Sequence, residues 1–186
     1  MRIIGGTLKR RKLRFPKTYA TRPVTDRAKE TIFNVLGTLC EGAIVLDLFA
    51  GSGSLGIEAL SRGAKEVYFV DSARIAVSCI ERNLGDLVLT RGAHVLQLTV
   101  PGAISNLKKQ DKKFDLIFLD PPHNKGLIKK ILNVLGHSDI LNSFGTIVVG
   151  HSNHEGLPEH LEKLRCQRSI KLGQTFISFL ERQDKV

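Results

Sequence analysis

Ile44-Val45-Leu46-Asp47-Leu48-Phe49-Ala50-Gly51-Ser52-Gly53-Ser54-Leu55-Gly56 sets the architecture of this chain. An apolar run with one acid breaks into a glycine-rich turn. The turn runs into a segment, 54–62, that reads as a helix ended by Gly63. Strand, glycine loop and helix in that order let backbone approach a ligand closely, with helix N–H groups open to a carboxylate or phosphate. Gly51, Gly53 and Gly56 also satisfy the dinucleotide fingerprint, a weak signal because tight turns need glycine for their own reasons.

The pattern repeats outward. Strands are expected at 66–71, 93–98, 115–119 and 145–150, and helices at 73–84, 103–109, 126–135 and 157–164. Two last strands, 167–172 and 175–181, should meet in a hairpin at Gly173. Apolar strands alternating with helices predict an α/β fold with a seven-stranded, mostly parallel sheet covered on both faces. Ahead of the first strand, Ala28, Ile32, Val35, Leu36 and Leu39 recur at helical spacing behind Thr25, a good N-cap. Residues 2–15 read as a β-ribbon turning at Gly5-Gly6.

Ligands of such sheets lie at the carboxyl ends of the strands. Asp47, just before the loop, suits a ligand carrying an amine, such as the methionine part of S-adenosylmethionine. Asp71 ends the next strand, where an acid can accept both hydroxyls of a ribose. Asp47, Phe49, Gly51, Ser52, Gly53, Asp71 and Ser72 are therefore the candidate cofactor contacts. Asp120-Pro121-Pro122-His123 ends the fourth strand. An exocyclic amine on a base is a poor nucleophile, because its lone pair is delocalised into the ring. Asp120 and a rigidly held Pro121 carbonyl can accept both amine hydrogens and steer that lone pair at a methyl donor. A flat side chain at His123 can stack on the base.

Charge divides the chain. The net charge is +10, and residues 1–30 hold ten basic side chains against two acids, so +8 lies there. A cationic head on a nearly neutral body points to a polyanion. Zero Trp and two Tyr argue against an aromatic platform for single strands. Three separated cysteines exclude a disulfide framework or a cysteine zinc site, and no apolar run reaches the roughly 18 residues of a membrane span. These features predict a cytoplasmic protein. His151, His154, His160 and Glu155 do not make a metal site at their spacing, so no metal is expected.

Met1-Arg2-Ile3-Ile4-Gly5-Gly6, Thr21-Arg22-Pro23 with Asp26-Arg27, Phe33-Asn34-Val35-Leu36, the glycine loop with Leu55-Gly56-Ile57-Glu58-Ala59-Leu60-Ser61-Arg62-Gly63-Ala64, and Ile117-Phe118-Leu119-Asp120-Pro121-Pro122 together resemble the RsmD family. The resemblance runs over essentially the whole chain, with the motifs in the family's order. It implies a class I, Rossmann-like methyltransferase domain (25–186) behind an RNA-contacting ribbon and loop (1–24). It implies S-adenosylmethionine as donor, S-adenosylhomocysteine as product, and N2 of a guanine in 16S rRNA of an assembled or assembling small subunit as acceptor. The protein is expected to work as a monomer. Arg2, Lys9, Arg10, Arg11, Lys12, Arg14, Arg22 and Arg27 would grip the phosphates, and Asp120, Pro121, Pro122 and His123 would hold the base.

Three positions depart from the family pattern. His123 stands where tyrosine is usual, Val100-Pro101-Gly102 where an acid often meets the cofactor's adenine, and Gly150 where an acid often follows the fifth strand. Amino-methylation of adenine or cytosine in DNA uses the same acid-and-prolines motif, but 186 residues leave no room for a separate target-recognition domain. A nicotinamide oxidoreductase is favoured only by the glycine spacing. A non-catalytic RNA-binding assembly factor is the remaining alternative.

Overall fold

Val45, Leu46 and Leu48 are fully buried, as a strand covered on both faces requires. The computed structural model describes residues 1–16, 24–122, 126–161 and 163–183. Their order is α1 (Asp26–Leu36), β1 (Ile44–Leu48), α2 (Ser54–Ser61), β2 (Glu66–Asp71), α3 (Arg74–Asp86), β3 (Ala93–Gln97), α4 (Val100–Lys109), β4 (Phe114–Leu119), α5 (Leu127–Ser138), β5 (Leu141–Ser152), β6 (Leu164–Leu172) and β7 (Thr175–Arg182). The seven strands form one sheet in the order β3-β2-β1-β4-β5-β7-β6. β7 pairs antiparallel with both β5 and β6, while the other pairs are parallel. One core gathers α1, α2 and α3 (Phe33, Leu55, Ile57, Ile80) against one face of the sheet. The second gathers α4 and α5 (Ile104, Leu107, Ile131, Leu135) against the other.

Several elements differ from the sequence reading, among them β5, which runs over Leu141–Ser152 rather than 145–150. The helix expected at 157–164 is absent from the described residues there: they have no helical backbone, and β6 begins at Leu164. Leu164, the last residue of the expected helix, is spent in the sheet core opposite Arg182. Helix α4 starts at Val100 rather than 103, because Thr99 caps it by accepting the Gly102 N–H and Pro101 is tolerated in the first turn.

The ribbon is two antiparallel arms joined at one bridge, Arg2 to Lys12, rather than two full strands. Backbone bonds from the Ile3 N–H to the Arg11 carbonyl (2.9 Å) and from the Leu13 N–H to the Met1 carbonyl (3.0 Å) close it. Ile3 and Leu13 belong to the core shared with α1 and α2. The end of α2 holds the turn: the Ser61 carbonyl accepts the Thr7 N–H at 2.8 Å, and the Ser61 hydroxyl donates to the Gly5 carbonyl at 2.6 Å. Gly6 sits at φ +72°, and a Cβ there would collide with the Ser61 carbonyl. Only glycine fits that contact.

Candidate active site

β1 lies between β2 and β4, where the order of the sheet reverses direction, so its carboxyl end opens into the crevice expected to hold a ligand. Asp47, one residue before the end of β1, is buried. Its Oδ2 accepts the Gly56 N–H at 2.9 Å. Burial pushes its carboxyl up to about 7 from an ordinary 3.8, the charges of Asp120 and Asp71 push the same way, and the Gly56 bond opposes them. The backbone then turns sharply. Phe49, Gly51 and Gly53 all have positive φ (59°, 59° and 79°), and α2 starts behind Gly53 without a side-chain cap. For Phe49 this is a strained conformation of the kind that collects at ligand sites.

Asp71 holds the loop from the neighbouring strand. Its Oδ2 accepts the Gly51 N–H at 3.0 Å and its Oδ1 the Ala73 N–H at 2.9 Å. Both oxygens thus have a backbone partner, and a ribose would meet only their remaining lone pairs. Ser72 is exposed, whereas Ser52 is buried with its carbonyl accepting from Asn83 Nδ2 at 2.9 Å. Gly56 serves packing, since a Cβ there would collide with the Phe69 ring.

Asp120 leaves the end of β4 half-buried, with Pro121 buried behind it. A Cβ at Gly150 on β5 would collide with Asp120 Oδ1. Gly150 lies inside β5, which continues to Ser152 rather than ending at 150, and Asp120 occupies the space a side chain at 150 would take. Val100-Pro101-Gly102 forms the first turn of α4. His123 lies outside the described residues.

Three carboxylates, Asp47, Asp71 and Asp120, thus meet at the carboxyl ends of three adjacent strands, beside a loop of positive-φ glycines. Such a site disfavours further negative charge and favours a ligand with a cationic centre.

Over residues 1–181 the chain matches the family model described as conserved hypothetical protein 95. It is 35% identical over 181 residues to ribosomal RNA small subunit methyltransferase D of Escherichia coli strain K12, covering 94% of this chain and 89% of that one. The chain belongs to the RsmD family. A Haemophilus influenzae relative, also named ribosomal RNA small subunit methyltransferase D, is 35% identical over 151 residues, or 80% of this chain and 77% of its own. The solved structure of yhhF from Escherichia coli, described as a candidate methyltransferase, has a TM-score of 0.86 at 31% identity and covers 100% of this chain and 99% of its own. The fold is that of class I methyltransferases, and the protein is a methyltransferase.

S-adenosylmethionine fits the residues present. Asp47 is a buried carboxylate with no ion-pair partner among the described residues, and a donor's amino group would compensate its charge.

The cationic residues of an RsmD-type head fall into groups. Lys9, Arg10, Arg11, Lys12 and Arg27 are exposed. Arg2 pairs with Asp26 at 2.9 Å and Arg14 with Asp86 at 2.7 Å, each exposed enough that the pair is worth little and can yield to a phosphate. Arg22 lies outside the described residues. Lys29, counted with the basic head by sequence, is fully buried against Glu58 and unavailable to RNA. Its place was visible in the pattern, since Lys29, Ile32, Phe33 and Leu36 lie on one helical face. Glu58 and Ser61, which hold the head, lie in the motif behind the glycine loop with no role predicted for them there, and Asn83, which joins the head to the site, carries no motif.

Proposed function

We propose that this protein transfers a methyl group from S-adenosylmethionine to the exocyclic N2 of a guanine in 16S rRNA, within an assembled or assembling small subunit. The convergence of Asp47, Asp71 and Asp120 at one sheet edge carries this reading. When bound, the donor supplies an electrophilic methyl group on a sulfonium. The chain then has three tasks. Asp47 receives the methionine ammonium and Asp71 the ribose, while the N–H groups of Gly51, Gly53 and Gly56 already donate within the protein and shape the loop around them. Asp120 and the Pro121 carbonyl accept the two N2 hydrogens, which aims the lone pair along the line of displacement. The proton leaves the amine for the Asp120 carboxylate or for solvent, and His123 stacks on the displaced base.

The exposed arginines and lysines of residues 1–27 hold the surrounding phosphates. About five such contacts would give log affinity a slope of roughly −3.5 to −4.5 against log salt. No described helix is long and apolar enough to cross a membrane. The enzyme acts as a monomer in the cytoplasm on this reading.

Radiolabelled S-adenosylmethionine offered with unmethylated small subunits, naked 16S rRNA or DNA tests it. Label at a guanine of 16S rRNA is expected. Label in DNA alone, or none in either RNA despite tight donor binding, would sink the proposal. Asp120→Ala should abolish transfer and leave donor binding within a few-fold.

A further inference from the structure

Asn83 joins the N-terminal arm to the glycine loop. Its Oδ1 accepts the Arg14 N–H at 2.8 Å, and its Nδ2 donates to the carbonyls of Arg14 (3.1 Å) and Ser52 (2.9 Å). The arm consequently runs alongside α3 and leaves an open groove of about 870 Å³ between them. Arg14 and Phe15 line it on the arm, and Arg74, Ile75, Ser78 and Arg82 on the helix. Spaced four apart, Arg74, Ser78 and Arg82 share one helical face. Arg74 and Arg82 are exposed, and among the described residues neither has an ion-pair partner. α3 begins three residues after Asp71, so the positive end of the helix lies at the same sheet edge as the three carboxylates.

We propose that this groove carries the RNA strand that leads to the acceptor base. Arg14, Arg74 and Arg82 take its phosphates, while Phe15 and Ile75 meet the apolar faces of its sugars and bases. The inference rests on methyl transfer to RNA and adds a path for the strand together with two residues outside the basic head. Chemistry favours a phosphodiester strand. The groove offers three guanidinium groups, which match phosphate in fork geometry, beside apolar surface. Asp86, the carboxylate at the end of α3, is already bound to Arg14. Asn83 sets the distance, because the same side chain holds a groove wall and the loop of the donor site.

The test compares Arg74→Ala with Arg82→Ala as a double variant against Lys129→Ala with Lys130→Ala, which removes the same charge from exposed positions on α5 across the sheet. Each is titrated with a 16S rRNA transcript over a range of salt, with assembled small subunits, and with S-adenosylmethionine alone. The arginine pair should lose about tenfold in RNA affinity and flatten the salt slope by about 2, with donor affinity unchanged. The lysine pair should resemble the parent. Equal losses in both pairs would reduce the effect to net charge and overturn the proposal, as would an unchanged affinity and slope in the arginine pair. A loss seen with assembled subunits but not with the transcript would assign the groove to a ribosomal protein and overturn it too. If the parent methylates no RNA, the functional reading fails, while the transcript titration still decides the groove.

Discussion

Glu58 Oε2 and Lys29 Nζ lie 3.4 Å apart, and neither side chain has any exposure. Glu58 also accepts the Ile4 N–H at 2.9 Å, the Gly5 N–H at 2.7 Å and Arg62 Nε at 3.0 Å. Lys29 donates in addition to the Arg2 carbonyl. One carboxylate therefore binds α1, the end of α2 and the arm that carries the basic head.

Removing that carboxylate strands a buried ammonium and two backbone N–H groups. Burial already pushes Lys29 below its ordinary range, with Glu58 holding it up. Glu58→Ala should destabilise the fold by about 3–5 kcal/mol, the usual cost of breaking a buried pair. Lys29→Met should cost clearly less, because Glu58 keeps Arg62 and the two N–H donors. Urea unfolding measures both, and equal costs would contradict the asymmetry.

Asp47 makes stability depend on pH. Its folded value of about 7 is raised above the ordinary 3.8, so the folded state binds a proton more tightly than the unfolded chain. The stabilising contribution is fully present below about 4 and is lost as pH rises from there through about 7. Asp47→Asn should flatten this part of the profile and weaken donor binding at least tenfold, by loss of a charged partner to the ammonium. Saturating S-adenosylmethionine should restore stability most at the upper end of the window, where the ionised carboxylate has gained its cation. Urea unfolding from pH 4 to 8, with and without donor, decides the matter. A profile unchanged by Asp47→Asn would remove Asp47 as its origin.

Strands and glycine loop were legible because burial on both faces leaves an apolar run and a positive-φ turn leaves glycine. Asp47, Asp71 and Asp120 were legible for the same reason: each is a charge placed at the end of an apolar strand. The helix expected at 157–164 failed because its apolar residues serve a loop and the start of β6, and spacing alone does not distinguish these uses. The Lys29–Glu58 pair escapes a count of charges, which reads every lysine as surface; only the position of Lys29 on the apolar face of its helix points to it. Asn83 was illegible, since its backbone partners on Ser52 and Arg14 lie 31 and 69 residues away.

Gly150 should control turnover through Asp120. A Cβ at that position collides with Asp120 Oδ1, so Gly150→Ala must push the carboxylate away from its place at the end of β4. A displacement of about 1 Å in a positioning group costs on the order of 100-fold in rate. Single-turnover methylation of small subunits should fall by that order, while the donor dissociation constant stays within about twofold because Asp47, Asp71 and the loop are untouched. A wild-type rate would mean that Asp120 does not need this position.

Asn83→Ala should weaken the fold and the donor site together. It leaves the Arg14 N–H and the Ser52 carbonyl without their side-chain partner and the Arg14 carbonyl with only the Cys79 thiol, at a place where Asn83 is buried. Each buried group left unpaired costs about 1–3 kcal/mol, less where water can enter the opened space. The Ser52 carbonyl belongs to the glycine loop, so part of the cost should appear as weaker donor binding. The rest should appear at the arm, where the Arg14 amide loses its protection from hydrogen exchange. Arg14→Ala removes the ion pair with Asp86 but keeps both backbone bonds to Asn83, and it should leave donor binding unchanged. Calorimetric titration of S-adenosylmethionine separates the two variants. Equal donor affinities in Asn83→Ala and the parent would show that the loop holds its shape without Asn83.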